Sequence, residues 1–201
     1  MDYKEETINV YDKFSEYFDK KFEEYKEKYM KSQLEECISL FPKNAKILDL
    51  GSGSGNHSIF FKQKGFDVLC LDISKELLKK CRDKGLKTIE MDIENFNFPE
   101  NSFDVVWAYT SLLHIKKEQL PKVLQKIKDI LKEKSFFFIS LEEGKGENFI
   151  KFKEGGKRWF ALYEKEEIEK LLKKDFTILE SWKVIIEKKK KVFIDFLCKK
   201  N

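Results

Sequence analysis

The stretch Lys46-Ile47-Leu48-Asp49-Leu50-Gly51-Ser52-Gly53-Ser54-Gly55-Asn56-His57 constrains this chain more than any other. A short apolar run, Ile47, Leu48 and Leu50, enters glycines at alternate positions, and the apolar segment Ile59-Phe60-Phe61 follows, closed by Gly65. That order reads as strand, tight turn and helix, with Gly65 just past the helix C-terminus. Glycine lets the backbone take positive φ and lets a ligand approach without meeting a Cβ. The unpaired N–H groups of a helix start then face the turn. Such a loop suits a flat, polar ligand.

A dinucleotide fingerprint would read G-x-G-x-x-G with a pyrophosphate on the helix N-terminus. Here the third glycine comes one residue early and Asp49 precedes the loop. A carboxylate there repels a pyrophosphate and attracts an ammonium group. Asp72 ends the next apolar run, Val68-Leu69-Cys70-Leu71, at the spacing of a ribose-binding acid in an α/β nucleotide site. Asp92 closes Thr88-Ile89-Glu90-Met91. Three acids at successive strand ends point at one crevice.

Around that loop the remaining pattern predicts an alternation of strands and helices. Residues 1–41 are helical by period, with Tyr11, Phe14, Phe18, Phe22, Tyr25 and Tyr29 in a stripe, and a break before Met30, Leu34 and Phe41 continue it. Pro42 ends this segment. Strands are expected at 46–50, 67–71, 86–91, 103–108 and 135–141, the last apolar throughout and so buried on both faces. Ser74 caps a helix over 75–84 that Gly85 ends. A helix over 117–131 accepts Pro121 in its first turn. After a helix over 165–174, strands at 177–186 and 192–198 are joined by Glu187-Lys188-Lys189-Lys190-Lys191, short enough only for an antiparallel hairpin. The fold class expected is α/β: a doubly wound, mostly parallel sheet whose ligand sits at the carboxyl ends of the strands. The terminal hairpin separates it from an ordinary dinucleotide domain.

At 201 residues one domain is expected. The net charge of +4 comes from lysines and glutamates interleaved along helices, which reads as solvated surface. Cys37, Cys70, Cys81 and Cys198 are dispersed and fall partly in apolar strands, so reduced, buried thiols in a cytoplasmic protein are expected. No signal-peptide pattern opens the chain, no apolar run approaches bilayer length, and His57 and His114 lack carboxylates at metal-ligand spacing.

In the loop Asp49 to Gly55, in Asp72, in Asp92-Ile93, in Phe103-Asp104-Val105-Val106-Trp107-Ala108, in Leu112-Leu113-His114 and in Arg158-Trp159-Phe160-Ala161-Leu162-Tyr163, the chain resembles the class I S-adenosylmethionine-dependent methyltransferases of the small type 11 and type 25 group. The resemblance implies a seven-stranded Rossmann-like sheet (residues 42–201) under an N-terminal helical lid (residues 1–41). It implies that Asp49 and the backbone of Gly51, Ser52, Gly53 and Gly55 hold the methionine part of the cofactor. Asp72 and Ile73 would then take the ribose, Asp92 and Ile93 the adenine, and Ala108 would flank the methionine carbons. Tyr11 or Tyr17 of the lid would reach the methionine end. The acceptor would meet Tyr109, Glu142, Glu143, Arg158, Trp159 and Tyr163, with His114 as general base and no metal.

Two departures from that family stand out. No Pro-Gly-Gly precedes the fifth strand, which affects the connection and not the site, and Ala108-Tyr109-Thr110-Ser111 replaces the Asn-Pro-Pro-Tyr type of motif used on planar amides and base amines. One small domain with no recognisable RNA- or protein-binding extension leaves a modest pocket under the lid, so a small-molecule acceptor is the expectation, for a monomer or homodimer with no membrane partner. RNA or protein methylation is the alternative, with Lys188–Lys191 as a basic edge for nucleic acid. An NAD-dependent oxidoreductase is the reading from another class.

Overall fold

The computed structural model describes residues 2–201. Before the sheet come helices α1 (Tyr3–Lys13), α2 (Ser15–Tyr25) and α3 (Lys31–Leu40). The aromatic stripe thus spans two helices rather than one, because the backbone leaves helical geometry at Phe14 (φ −116°, ψ 29°). The break expected near Met30 is a π-helical turn, Lys26–Met30. A widened turn lets Lys26 and Met30 both be buried without ending the helical path.

The Rossmann-like alternation follows: β1 (Lys46–Leu50), α4 (Asn56–Gln63), β2 (Asp67–Asp72), α5 (Lys75–Asp83), β3 (Lys87–Glu90), β4 (Phe103–Tyr109), α6 (Leu120–Ile130) and β5 (Leu131–Glu142). A two-stranded hairpin comes next, β6 (Glu147–Lys151) and β7 (Lys157–Ala161), then α7 (Lys165–Leu172), β8 (Phe176–Ile186) and β9 (Lys191–Lys200). The main sheet has seven strands in the order β3-β2-β1-β4-β5-β9-β8. β1 to β5 pair in parallel, while β9 is antiparallel to both β5 and β8. That is the seven-stranded arrangement the resemblance implies, with the terminal hairpin supplying the antiparallel strands.

The pleat sorts side chains to two faces. Leu48, Leu50, Val106, Ala108, Phe137 and Ile139 join α6 and α7 in one core cluster. Ile47, Val105, Trp107 and Phe138 face α3 and Phe61 of α4 in another. α3 is therefore part of the sheet's packing, whereas α1 and α2 lie at the strand ends.

Three details differ from expectation. α6 ends at Ile130, because Leu131 is already extended (φ −77°, ψ 137°) and pairs with Phe103. β5 consequently starts early, with an irregularity opposite Phe103 and Val105 and Lys134 at φ 59°. The hairpin β6–β7 was not anticipated. Its strands carry the alternation Asn148-Phe149-Ile150-Lys151 and flank Gly155-Gly156, whose positive φ turns the chain.

Candidate active site

Where β1 and β4 part, at the reversal of strand order, a cavity of about 240 Å³ opens between the strand ends and α1–α2. Open α/β sheets bind ligands at such a point.

The floor is backbone-built. Gly51 and Ser52 N–H both donate to the Leu71 carbonyl (2.8 and 2.9 Å), which ties the loop to the end of β2. Gly51 needs its missing side chain twice over: φ is 77°, and a Cβ would lie 2.3 Å from Cβ of Ser111. Asp72 accepts from Gly53 N–H at Oδ2 (2.8 Å) and from Ser74 N–H at Oδ1 (2.9 Å). Its carboxyl stays above the ordinary range because burial outweighs these donors. Asp49 is 3% exposed and accepts one side-chain hydrogen bond, from Ser58 Oγ at 2.6 Å. Burial pushes it up to about 7, and no cation pairs with it among the described residues. A buried carboxylate without a counter-charge, facing a cavity, is suited to a ligand cation.

The wall at the end of β4 holds Tyr109, Thr110, Ser111 and His114. Thr110 sits at φ 51°, a costly position for a β-branched residue. Ser111 Oγ donates to the Leu50 carbonyl (2.5 Å), fixing this turn to the glycine loop. His57, at the start of α4, accepts from Trp107 Nε1 at Nδ1 (2.8 Å), so the neutral ring carries its proton on Nε2. Burial pushes it down to about 3.

A hydrogen-bonded series crosses the roof. Arg158 Nη1 donates to Tyr11 Oη (2.7 Å), and Tyr11 Oη lies 2.7 Å from His114 Nε2. His114 Nδ1 lies 2.6 Å from the Trp159 carbonyl, which can only accept. Nδ1 therefore bears the proton, Nε2 accepts from Tyr11, and both nitrogens are engaged. Burial first, and Arg158 second, push His114 down to about 3. The guanidinium carbon of Arg158 lies 5.0–5.4 Å from the ring centroids of Tyr11, Phe18, Phe152 and Phe160.

Of the residues singled out in the sequence, Tyr11, Asp49, Gly51, Ser52, Gly53, Asp72, Ile73, Ile93, Tyr109, His114 and Arg158 line this cavity. The others lie elsewhere. Tyr17 is 37% exposed and takes a hydrogen bond from Lys21. Gly55 is at the N-cap of α4 with φ 77°, where a Cβ would meet Leu86. Ala108 is wholly buried in the core cluster beside α6. Asp92 is held by Lys4 (2.6 Å) and Asn95 (3.1 Å). Glu142 pairs with Lys191 (2.5 Å) and Glu143 with Lys183 (2.7 Å). Trp159 packs on Tyr3 and Phe149, and Tyr163 is 1% exposed beneath Lys117. The cavity also takes residues that sequence reasoning passed over as core or solvated surface: Thr7, Lys21 and Phe22 of the first two helices, Asn56, and Lys189, Lys191 and Phe193 around the β8–β9 turn. The aromatic stripe and the lysine run were visible; their meeting at one cavity was not.

Comparison with known proteins agrees with this architecture. Residues 47–134 match the family model of a methyltransferase domain, type 25. The sarcosine/dimethylglycine N-methyltransferase of Aphanothece halophytica is 32% identical over 110 residues, covering 50% of this chain and 39% of that protein. The DhpI–SAH complex superposes with a TM-score of 0.80 at 16% identity, covering 98% of this chain and 96% of that one. The 1,6-didemethyltoxoflavin-N1-methyltransferase of Burkholderia thailandensis, solved with 1,6-didemethyltoxoflavin and S-adenosylhomocysteine, gives 0.67 at 21% identity, covering 79% and 72%. The first three curated relatives are matched over only 34–57% of their own lengths. The fold is that of the class I S-adenosylmethionine-dependent methyltransferases, and residues 47–134 carry the type 25 methyltransferase domain. All four cysteines are buried and unpaired, and no helix among the described residues is long and apolar enough to cross a membrane.

Proposed function

We propose that the cavity binds S-adenosylmethionine on its floor and that the chain methylates a small-molecule acceptor at N or O beneath α1 and α2, which serve as the lid. The observation that carries this reading is that Asp49, Asp72 and the glycine loop share one cavity with Tyr11, His114 and Arg158. The cofactor fits the residues present: Asp49 lacks a counter-charge that an amino-acid ammonium supplies, and each Asp72 oxygen spends only one acceptor site on backbone N–H. Ile73 and Ile93 line the side where an adenine ring would lie. When bound, the cofactor supplies a methyl group on a sulfonium, open to in-line displacement.

The chain's own part is alignment in a dry site. His114 stays neutral and holds the Tyr11 hydroxyl as its acceptor, while Arg158 donates to the same oxygen. Tyr11 Oη keeps a lone pair for an N–H or O–H of the acceptor, which turns the nucleophile's own lone pair toward the methyl. His114 is thus assigned as a positioning residue, not the general base expected from the sequence, because neither nitrogen is free and burial disfavours its cation. The small-acceptor reading draws support from the hairpin lysines: Lys189 and Lys191 turn toward the cavity, leaving Lys188 and Lys190 of that run for an RNA-binding edge.

The test is transfer of labelled methyl from S-adenosylmethionine into cell extract separated into small-molecule, RNA and protein fractions. Label among small molecules is the expected result. Label confined to RNA or protein overturns the acceptor class, and no labelling with no S-adenosylhomocysteine binding overturns the reading altogether.

A further inference from the structure

Cations crowd the roof of the cavity from three separate parts of the chain. Lys21 comes from α2, Arg158 from β7, and Lys189 from the turn between β8 and β9. Lys21 and Lys189 share Tyr25, their ammonium groups lying 5.8 and 5.2 Å from its ring centroid. Lys191 is a fourth cation, but Glu142 neutralises it at 2.5 Å. Among the described residues, no carboxylate lies within 4.0 Å of Lys21, Lys189 or Arg158. Most lysines that reach across elements do have such partners: Lys4 with Asp92, Lys80 with Glu16, Lys84 with Asp19, Lys117 with Glu167. The three roof cations have none.

The three groups are also under-used as donors. Arg158 makes one hydrogen bond, to Tyr11, and its Nε is buried without a partner. Lys21 donates only to Tyr17 Oη (2.6 Å). Burial and the facing Lys189 together depress the Lys21 ammonium below the ordinary lysine range, the direction expected when like charges are held together. The floor's two carboxylates do not pair with this group: neither Asp49 nor Asp72 lies within 4.0 Å of Lys21, Lys189 or Arg158.

We propose that the acceptor carries a compact oxyanion, a carboxylate or a phosphate, held by Arg158, Lys21 and Lys189 while its nucleophilic atom meets Tyr11. This rests on the methyltransferase reading and names the substrate class within it. The Nε edge of a guanidinium offers parallel N–H donors to two oxygens of one anion. The two ammonium groups, on α2 and on the β8–β9 turn, repel each other until a negative group lies between them. The same anion would therefore draw the helices and the hairpin tip together over the acceptor. Neutral acceptors of equal size would leave the half-buried Arg158 and Lys21 unpaired beside Lys189, so discrimination against them follows from the same charges.

The test uses the full chain saturated with S-adenosylhomocysteine, at constant ionic strength in chloride. Inorganic phosphate is titrated and followed by its phosphorus NMR line width, and acetate is titrated separately and followed by its carbon line width. Saturable binding of one or both is expected, and which binds tighter distinguishes a phosphate from a carboxylate acceptor. The Lys21→Met/Lys189→Met double variant should weaken that binding at least tenfold while S-adenosylhomocysteine affinity stays within twofold. Lys188→Met/Lys190→Met, exposed positions away from the cavity, should leave it unchanged. No saturable binding of either anion, or equal weakening by the two double variants, overturns the proposal. Failure of S-adenosylhomocysteine itself to bind would instead strike the reading beneath it.

Discussion

Apart from Ile93, the floor of the cavity comes from one contiguous stretch, residues 49–74, in which backbone groups make most of the contacts. The roof draws on residues 7–25, 158–160 and 186–193, and long side chains join them: Arg158 to Tyr11, Tyr11 to His114, Lys21 and Lys189 about Tyr25. A floor of backbone hydrogen bonds and tight glycine turns has one geometry. A roof of flexible cations and stacked rings can part and re-form, because each long side chain gives up rotamer entropy only when its partner is in place. The difference suits a site in which one ligand is common to a whole class of proteins and the other is particular to this one.

That contrast can be broken most severely at Gly51. Gly51→Ala puts a methyl 2.3 Å from Ser111 Cβ at φ 77°, and should cost about 3 kcal/mol of stability. Urea unfolding measures it, and a loss under ~1 kcal/mol would show that the floor yields. In the roof, Tyr11→Phe keeps the ring among Phe18 and Phe22 but removes the oxygen between Arg158 and His114. Methyl incorporation into the extract's small-molecule fraction should fall roughly 100-fold, with S-adenosylhomocysteine affinity little changed.

A smaller and graded effect belongs to Asp49. Its carboxyl is raised to about 7, so the free protein holds a proton there below neutrality that an unfolded chain releases nearer 4. With the folded value raised, ionisation of Asp49 erodes stability as pH climbs from about 4 toward 7. Ligand binding runs the other way. An ammonium needs the ionised form, so S-adenosylhomocysteine affinity should rise about tenfold per pH unit up to about 7 and then level off. Calorimetry in two buffers of different ionisation heat should show proton release at pH 6, and Asp49→Asn should abolish the pH dependence. His114, pushed down to about 3, adds no inflection near 6.5.

The same division explains what could be read from sequence. β1, its glycine turn, Ser74 capping α5 through Leu77 N–H (3.2 Å), and the closing hairpin are all local patterns, with period, cap and turn residue adjacent in the chain. Asp72 and Asp49 followed from strand ends. The roof is non-local. Asp92 looked like its neighbours among the strand-end acids, yet Lys4, far back in α1, takes its carboxylate. Lys189 looked like solvated hairpin surface until β8 and β9 carried its turn over the cavity. β6–β7 was hidden because its aromatic alternation was read as pocket lining rather than as paired strands.

The central claim is that the floor alone holds the cofactor, and titration of S-adenosylhomocysteine into three proteins tests it most directly. Against the parent chain, Asp72→Ala should lose roughly 10- to 100-fold in affinity, the worth of a charged hydrogen-bonding group, more than any other single substitution. Arg158→Met, in the roof, should bind within about twofold of the parent, since the loss of one guanidinium there touches no floor contact. Equal losses in the two variants, or an Asp72→Ala affinity matching the parent, would contradict the account.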